Sequence, residues 1–224
     1  MKKTNALYKN QGIHVITAIF TVELGVTKVL LVKRKNEPYK GDWILTGGAL
    51  YNNEDLETGA KREIFEKTGI QNIEIEQFKA FGKVDRSPIM RMVAVAYIGV
   101  IDSSRVKIIR ETINTSNADW FPIDKIPGLG FDHEEILKES LIYLQRKIVS
   151  TDILKSLFPN EFTIPEIQKT YEAILNKKFD RRNFRKKLLS LDLIEDTNKT
   201  GKFEGKKPAK LYKFKDVIES KKVF

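Results

Sequence analysis

Apolar and polar positions follow the spacing of strands through much of the N-terminal half. The β-branched runs HVITAIFTVEL (14–24) and KVLLVKR (28–34) flank Gly25, which predicts a hairpin. KGDWILTGGAL (40–50) reads as a short strand entering a glycine pair. Over 53–68 the spacing becomes helical: Ala60 and Ile64 share a face suited to a sheet, Asn52-Asn53 offers an N-cap, Glu54 and Asp55 sit in the first turn, and Gly69 suits the C-terminal turn. Strands are predicted at 73–84, 91–101 and 118–123, and an amphipathic helix over 132–148 closes this part.

Beyond residue 148 the order changes. A short helix is predicted over 151–158, a break at FPNEFT, and a helix over 164–175 with Pro165 tolerated in its first turn. NKKFD reads as a tight turn. Asp180 caps a further helix running to about Leu191, and 194–215 reads as two strands around a glycine- and lysine-rich loop. Helices followed by a basic hairpin predict a winged helix-turn-helix. The expected division is 1–148 and 149–224, with no internal repeat.

Composition fits this division. A chain of 224 residues at 41% hydrophobic is long enough to bury a core in each part. No stretch reaches the ~18 apolar residues of a membrane span, and the start lacks a signal-peptide pattern. The absence of cysteine excludes disulfides and thiolate zinc sites. A cytoplasmic location without membrane attachment is expected. The formal charge of +10 is uneven: residues 148–224 hold 18 Lys+Arg against 11 Asp+Glu, a net of +7, while 1–147 hold 22 against 19. That excess points to a polyanionic partner or to a well-solvated surface.

The helix at 53–68 carries the candidate chemistry. At ~100° per residue Glu63, Glu66 and Lys67 share one face. Clustered carboxylates beside a glycine turn suit a hard cation such as Mg²⁺, which takes oxygen ligands and shares them with phosphates. Here a lysine stands among them, so the three groups carry −1 where three carboxylates would carry −3. Placing a unit charge ~4 Å from the ion costs about 4 kcal/mol for each metal charge at an effective dielectric of 20, before screening. Lys67 has two readings: an i,i+4 ion pair with Glu63, worth ~0.2–0.5 kcal/mol, or a phosphate contact.

The segment GGALYNNEDLETGAKREIFEKTGI (47–70) resembles the Nudix box, through Gly48, Glu54, Arg62, Glu63, Ile64, Glu66, Lys67, Gly69 and Ile70. In hydrolases with this box, which split nucleoside diphosphates linked to another moiety, a Glu-Glu pair helps hold Mg²⁺. Lys67 replaces its second member. The resemblance therefore implies a catalytically impaired Nudix domain, with Glu63 and Glu66 as a weak or vestigial metal pair and no required cofactor. Gly47, Gly48, Glu63, Glu66 and Lys67 would line a ligand pocket, with Arg34 and Arg86 as anion contacts and Trp43 as a ring able to stack on an adenine. His14 and His133 read as structural, His133 as a cap or a domain contact.

In the second part, Phe184, Leu188 and Leu191 lie on one side of a helix, with Arg182, Asn183 and Lys186 opposite and Arg181 and Arg185 flanking. Such a helix can enter a major groove, where Arg and Asn read guanine and adenine edges. Lys199, Lys202, Lys206, Lys207 and Lys210 in the following hairpin suit phosphates. Together the halves resemble the Nudix-related transcriptional regulators of the NrtR type, through KRKNEPYKGDWILTGGAL, VDRSPIMRMVAVAY, GFDHEEIL and YEAILNKKFDRRNFRKKLLSLDLIE. The resemblance implies an α/β Nudix-like sandwich, a mixed sheet between helices, followed by a winged helix. It also implies a homodimer that binds double-stranded palindromic operator DNA. The effector would be ADP-ribose, as in members that repress NAD-metabolism genes, or a sugar such as arabinose. Thr46 departs from the proline that related hydrolases often place before the glycines. Two rivals stand beside this reading: an active hydrolase of ADP-ribose-like substrates with a basic extension, and an RNA-binding protein with an inactive enzyme domain.

Overall fold

The computed structural model describes residues 11–149, 153–158, 160–202 and 207–215. Its chain divides into two compact units: residues 1–20, 29–99 and 104–141 form the first, and 21–28, 100–103 and 142–224 the second. The division falls within a helix and returns the tip of the first hairpin to the second unit.

Ten strands and four α-helices are present among the described residues. The first sheet contains β1 (Gln11–Glu23), β2 (Val26–Arg34), β3 (Trp43–Ile44), β4 (Thr46–Ala49), β5 (Ile75–Phe81), β6 (Arg91–Val100) and β7 (Thr115–Pro122). Its main order is β3-β2-β1-β6-β5, with β4 paired to β1 and β7 to β2. The strands in the middle of this order are buried without alternation, at 15–21 in β1 and 94–100 in β6, as expected where both faces are covered. The covering helices are α1 (Leu56–Thr68) and α2 (His133–Ile148). Ala60 of α1 packs with Val15, Val95 and Tyr97, and Ile64 of α1 and Ile136 of α2 are almost wholly buried.

Two expectations about this unit need correction. The predicted 40–50 strand is two short strands, because Leu45 between them gives its N–H to His133 Nδ1 at 3.1 Å rather than continuing one ladder. Helix α1 starts at Leu56, not at 53. Its cap is Asp55, which accepts the Thr58 N–H at 2.8 Å, while Glu54 turns away to accept the Tyr51 N–H at 2.8 Å. Gly69 ends α1 in a left-handed conformation (φ 74°), its N–H reaching Phe65 O at 2.7 Å.

The second unit holds β8 (Phe162–Thr163), α3 (Ile164–Leu175), α4 (Arg181–Ser190), β9 (Ile194–Gly201) and β10 (Ala209–Phe214), with an antiparallel sheet in the order β8-β10-β9. The predicted helix over 151–158 is instead a single 3-10 turn at Ile153–Ser156 among the described residues, and the FPNEFT break contains β8. The short run at 162–163 is stabilised by pairing with Leu211 and Tyr212, not by any local pattern. A capping box opens α3, with Thr163 Oγ1 accepting the Glu166 N–H and Glu166 Oε2 accepting the Thr163 N–H, both at 3.3 Å. Between α3 and α4, Glu172 Oε1 accepts the Phe179 N–H and Gln168 donates to Phe179 O, each at 3.0 Å. Phe184 of α4 meets Tyr171 and Phe179 at ring distances of 5.6 and 5.7 Å. These contacts fix the angle at which α4 leaves α3. No helix among the described residues is long and apolar enough to cross a membrane.

Candidate functional site

The glycine pair is dictated by packing. A Cβ on Gly47 would stand 2.3 Å from Val15 O across the β4–β1 ladder, and one on Gly48 would stand 2.3 Å from the Glu63 carboxylate. Only glycines let α1 press its acidic face onto β4. Thr46 is wholly buried and its hydroxyl donates to Thr17 O at 2.9 Å. A proline there would bring neither that hydroxyl nor an N–H for the ladder.

Arg62 organises the box. It holds both oxygens of Glu54 (2.9 and 2.7 Å), Glu63 Oε1 (2.7 Å), Glu66 Oε2 (3.3 Å) and Ala49 O (2.9 Å), and it lies 3.8 Å from the centre of the Tyr51 ring. Hydrogen bonds from Arg62 pull the Glu54 pKa down to about 2. The other Glu63 oxygen lies 3.1 Å from Lys67 Nζ, and that ammonium also donates to Gly47 O. Lys67 and Glu63 are each 7% exposed. Burial outweighs Glu63 and lowers the Lys67 pKa. The i,i+4 pair, one of the two readings of Lys67, is present, and both Glu63 oxygens are engaged by cations. Glu66 is exposed and touches the cluster through Arg62. Among the described residues no three acidic or imidazole side chains converge in a metal-holding arrangement.

Beside this face lies a second cluster. His14, on β1 opposite Ala49, has its pKa lowered to about 4, first by burial and then by Arg86 and Lys67. His133 is lowered to about 3 by burial, then by Arg86, Lys67 and Arg34. The bond from Leu45 N–H requires an unprotonated Nδ1, so His133 is neutral with its proton on Nε2. Arg86 is buried and grips Asp132 with two bonds, Nε to Oδ2 at 2.9 Å and Nη2 to Oδ1 at 2.8 Å. Arg34 donates to Pro38 O at 2.8 Å and Asn36 O at 3.2 Å, shaping the loop before β3, and lies 5.2 Å from the Phe131 ring centre. Trp43 is half-buried with Phe121 at 4.6 Å. The chain thus brings Arg34, Lys67 and Arg86 into one electrostatic neighbourhood with Glu63, Asp132 and two neutral histidines. Sequence reading missed Asp132 as a member, because it lies 46 positions from Arg86.

In the second unit Asp180 accepts the Asn183 N–H at 2.9 Å and starts α4. Arg181, Arg182, Asn183, Arg185 and Lys186 are all exposed, while Phe184 and Leu188 face inward. Arg185 differs from its neighbours because it donates to Tyr212 Oη on β10 at 3.4 Å. Lys199 pairs with Glu161 at 2.8 Å and Lys210 with Asp196 at 2.6 Å, whereas Lys202 and Lys207 are exposed. Lys206 lies outside the described residues.

Residues 12–140 match the NUDIX domain family model, and residues 154–214 match the model for the NrtR DNA-binding winged helix domain. The chain is 32% identical over 201 residues to the ADPR responsive transcriptional repressor NtrR of Acinetobacter baylyi, a similarity covering 88% of this chain and 79% of that protein. It resembles the crystal structure of Shewanella oneidensis NrtR complexed with a 27mer DNA, with a TM-score of 0.75 and 28% identity across 91% of this chain and 93% of that one. Its first unit resembles the cocrystal structure of the NUDIX domain of Shewanella oneidensis NrtR complexed with ADP ribose, with a TM-score of 0.56 and 30% identity over 62% of this chain and 91% of that one. Fold and site define a Nudix domain joined to a winged helix. The chain belongs to the NrtR family of Nudix-related transcriptional regulators.

Proposed function

We propose that this protein is a cytoplasmic, homodimeric repressor that binds palindromic operator DNA through α4 and the β9–β10 wing and senses ADP-ribose in its Nudix unit without hydrolysing it. The observation that carries this reading is the Lys67 ammonium seated on Glu63 and Gly47 O, in a chain that also has an NrtR winged helix. The relatives in Acinetobacter baylyi and Shewanella oneidensis, named for ADP-ribose response and seen with ADP-ribose and DNA, support the choice of ligands.

Chemistry favours binding over turnover. Mg²⁺ catalysis needs free carboxylate oxygens, yet Glu63 gives one to Arg62 and the other to Lys67. A metal ion there would displace a buried cation, so Mg²⁺ binding is weak and no cofactor is required. A diphosphate needs cations, and Lys67, Arg34 and Arg86 supply them, with Trp43 offering a ring to the adenine. On the second unit, α4 presents Arg182, Asn183 and Lys186 for base edges, and Lys202, Lys206 and Lys207 serve phosphates. Genes of NAD metabolism are the expected targets.

The test is a calorimetric titration of ADP-ribose into the purified protein with Mg²⁺ and, separately, with EDTA, followed by chromatography of the products. Equal affinity in both and intact ADP-ribose are expected. Turnover at ~1 s⁻¹ or above would favour the hydrolase.

A further inference from the structure

Arg86 and Asp132 connect the cation cluster to α2. Asp132 stands immediately before α2, and its backbone carbonyl accepts the Ile136 N–H at 3.1 Å in the first turn. Its carboxylate takes Arg86 Nε and Nη2. A guanidinium has five N–H groups, so this grip leaves three for another acceptor. Arg86 is also the strongest charge acting on both His14 and His133, which sets it beside the two histidines as well as at the helix start. The adjacent residue, His133, ties α2 to Leu45, directly before the strand carrying the glycine pair. Helix α2 then continues past Leu141, where the first unit ends, and its last turns belong to the second unit.

We infer that the Arg86–Asp132 pair is the link through which an anionic ligand in the Nudix cleft is read by α2, and through α2 by the DNA-binding unit. The inference rests on the ADP-ribose reading given above. A phosphate engaging the free N–H groups of Arg86 draws the guanidinium toward the cleft. Asp132, which is largely enclosed, must follow its partner or remain buried without one. Either response displaces the first turn of α2. The ties further along the helix, Lys83–Glu135 at 2.6 Å and Lys79–Glu139 at 2.8 Å, are solvent-exposed and correspondingly weak.

The experiment uses the full chain and a symmetric duplex recovered by selection from a random library. Duplex affinity is measured with and without saturating ADP-ribose for the unaltered protein, Asp132→Asn, Arg86→Lys and Glu135→Gln. The unaltered protein should show a coupling factor within about 5–150-fold, and Asp132→Asn should reduce it below about twofold. Arg86→Lys keeps the charge but loses the two-pronged grip, so it should reduce the factor as well. Glu135→Gln should leave it intact. Amide hydrogen exchange over 134–141 should respond to ADP-ribose in the unaltered protein and not in Asp132→Asn. A full coupling factor in a folded Asp132→Asn or Arg86→Lys protein overturns the inference, as does an equal loss in Glu135→Gln. If the unaltered protein binds ADP-ribose with no change in duplex affinity, the parent reading fails and the link falls with it.

Discussion

Arg62 and Arg182 carry the same side chain to opposite ends. Arg62 lies at 17% side-chain exposure with three carboxylates, a carbonyl and an aromatic ring arranged around it. Arg182 stands exposed on α4, open to solvent. The same contrast extends to their neighbours: Lys67 and Arg86 are buried and paired, while Arg181 and Lys186 are exposed. A buried, paired cation sets geometry, and its loss strands the acids around it. An exposed, unpaired cation contributes little to folding and is available to a polyanion. The cations of the box are held inward; those of α4 are presented.

The sharpest break of this contrast is stability. Arg62→Ala leaves Glu54 enclosed without a counter-charge and Glu63 with Lys67 alone, and should cost about 3–5 kcal/mol in urea unfolding. Arg182→Ala should stay within about 0.5 kcal/mol in the same measurement. Comparable losses in the two variants would erase the distinction.

Acid titration acts on the same contrast. Folding lowers the His14 and His133 pKa values from 6.5 to about 4 and about 3, so between those limits the unfolded chain binds more protons than the folded one. Stability is therefore full above pH 6.5 and falls as the pH drops, by up to about 1.4 kcal/mol per pH unit for each histidine. Denaturant midpoints between pH 7 and pH 5 report the slope, and His133→Gln, which removes the group that must stay neutral for Leu45, should flatten it. A slope that His133→Gln leaves unchanged would place the titrating group elsewhere.

Smaller effects separate the cations of the DNA-binding unit from one another. Arg182→Ala should weaken binding to a selected duplex by ~1–3 kcal/mol and relax its sequence preference. Tyr212→Phe, which frees Arg185 from β10, should alter affinity by less than Arg182→Ala does. Lys207→Ala should weaken all duplexes alike and reduce the salt slope by ~1 in fluorescence anisotropy.

Much of this was legible in the chain. The strand runs, the glycine pair, the box from Gly48 to Ile70 and the helix after Asp180 each have a local signature, since periodicity, caps and turns are written in adjacent residues. The Lys67–Glu63 pair was readable because one helical turn separates its members. What escaped were features fixed by distant partners. Strand β8 exists because Leu211 and Tyr212 lie beside it. The break at Leu45 depends on His133, and Arg86 meets Asp132 across 46 positions. The cap of α1 moved from Asn53 to Asp55 because Glu54 is drawn to Arg62, a competition between two acceptable caps that local preference does not resolve.

The most direct measurement titrates a selected symmetric duplex against the protein in EDTA, with and without ADP-ribose, and recovers the nucleotide afterwards. Sensing without catalysis requires a duplex affinity changed by about 5–150-fold, an equal and reciprocal change in ADP-ribose affinity, and nucleotide returned intact. ADP-ribose that binds tightly but leaves duplex affinity untouched, or that is returned cleaved, would contradict it.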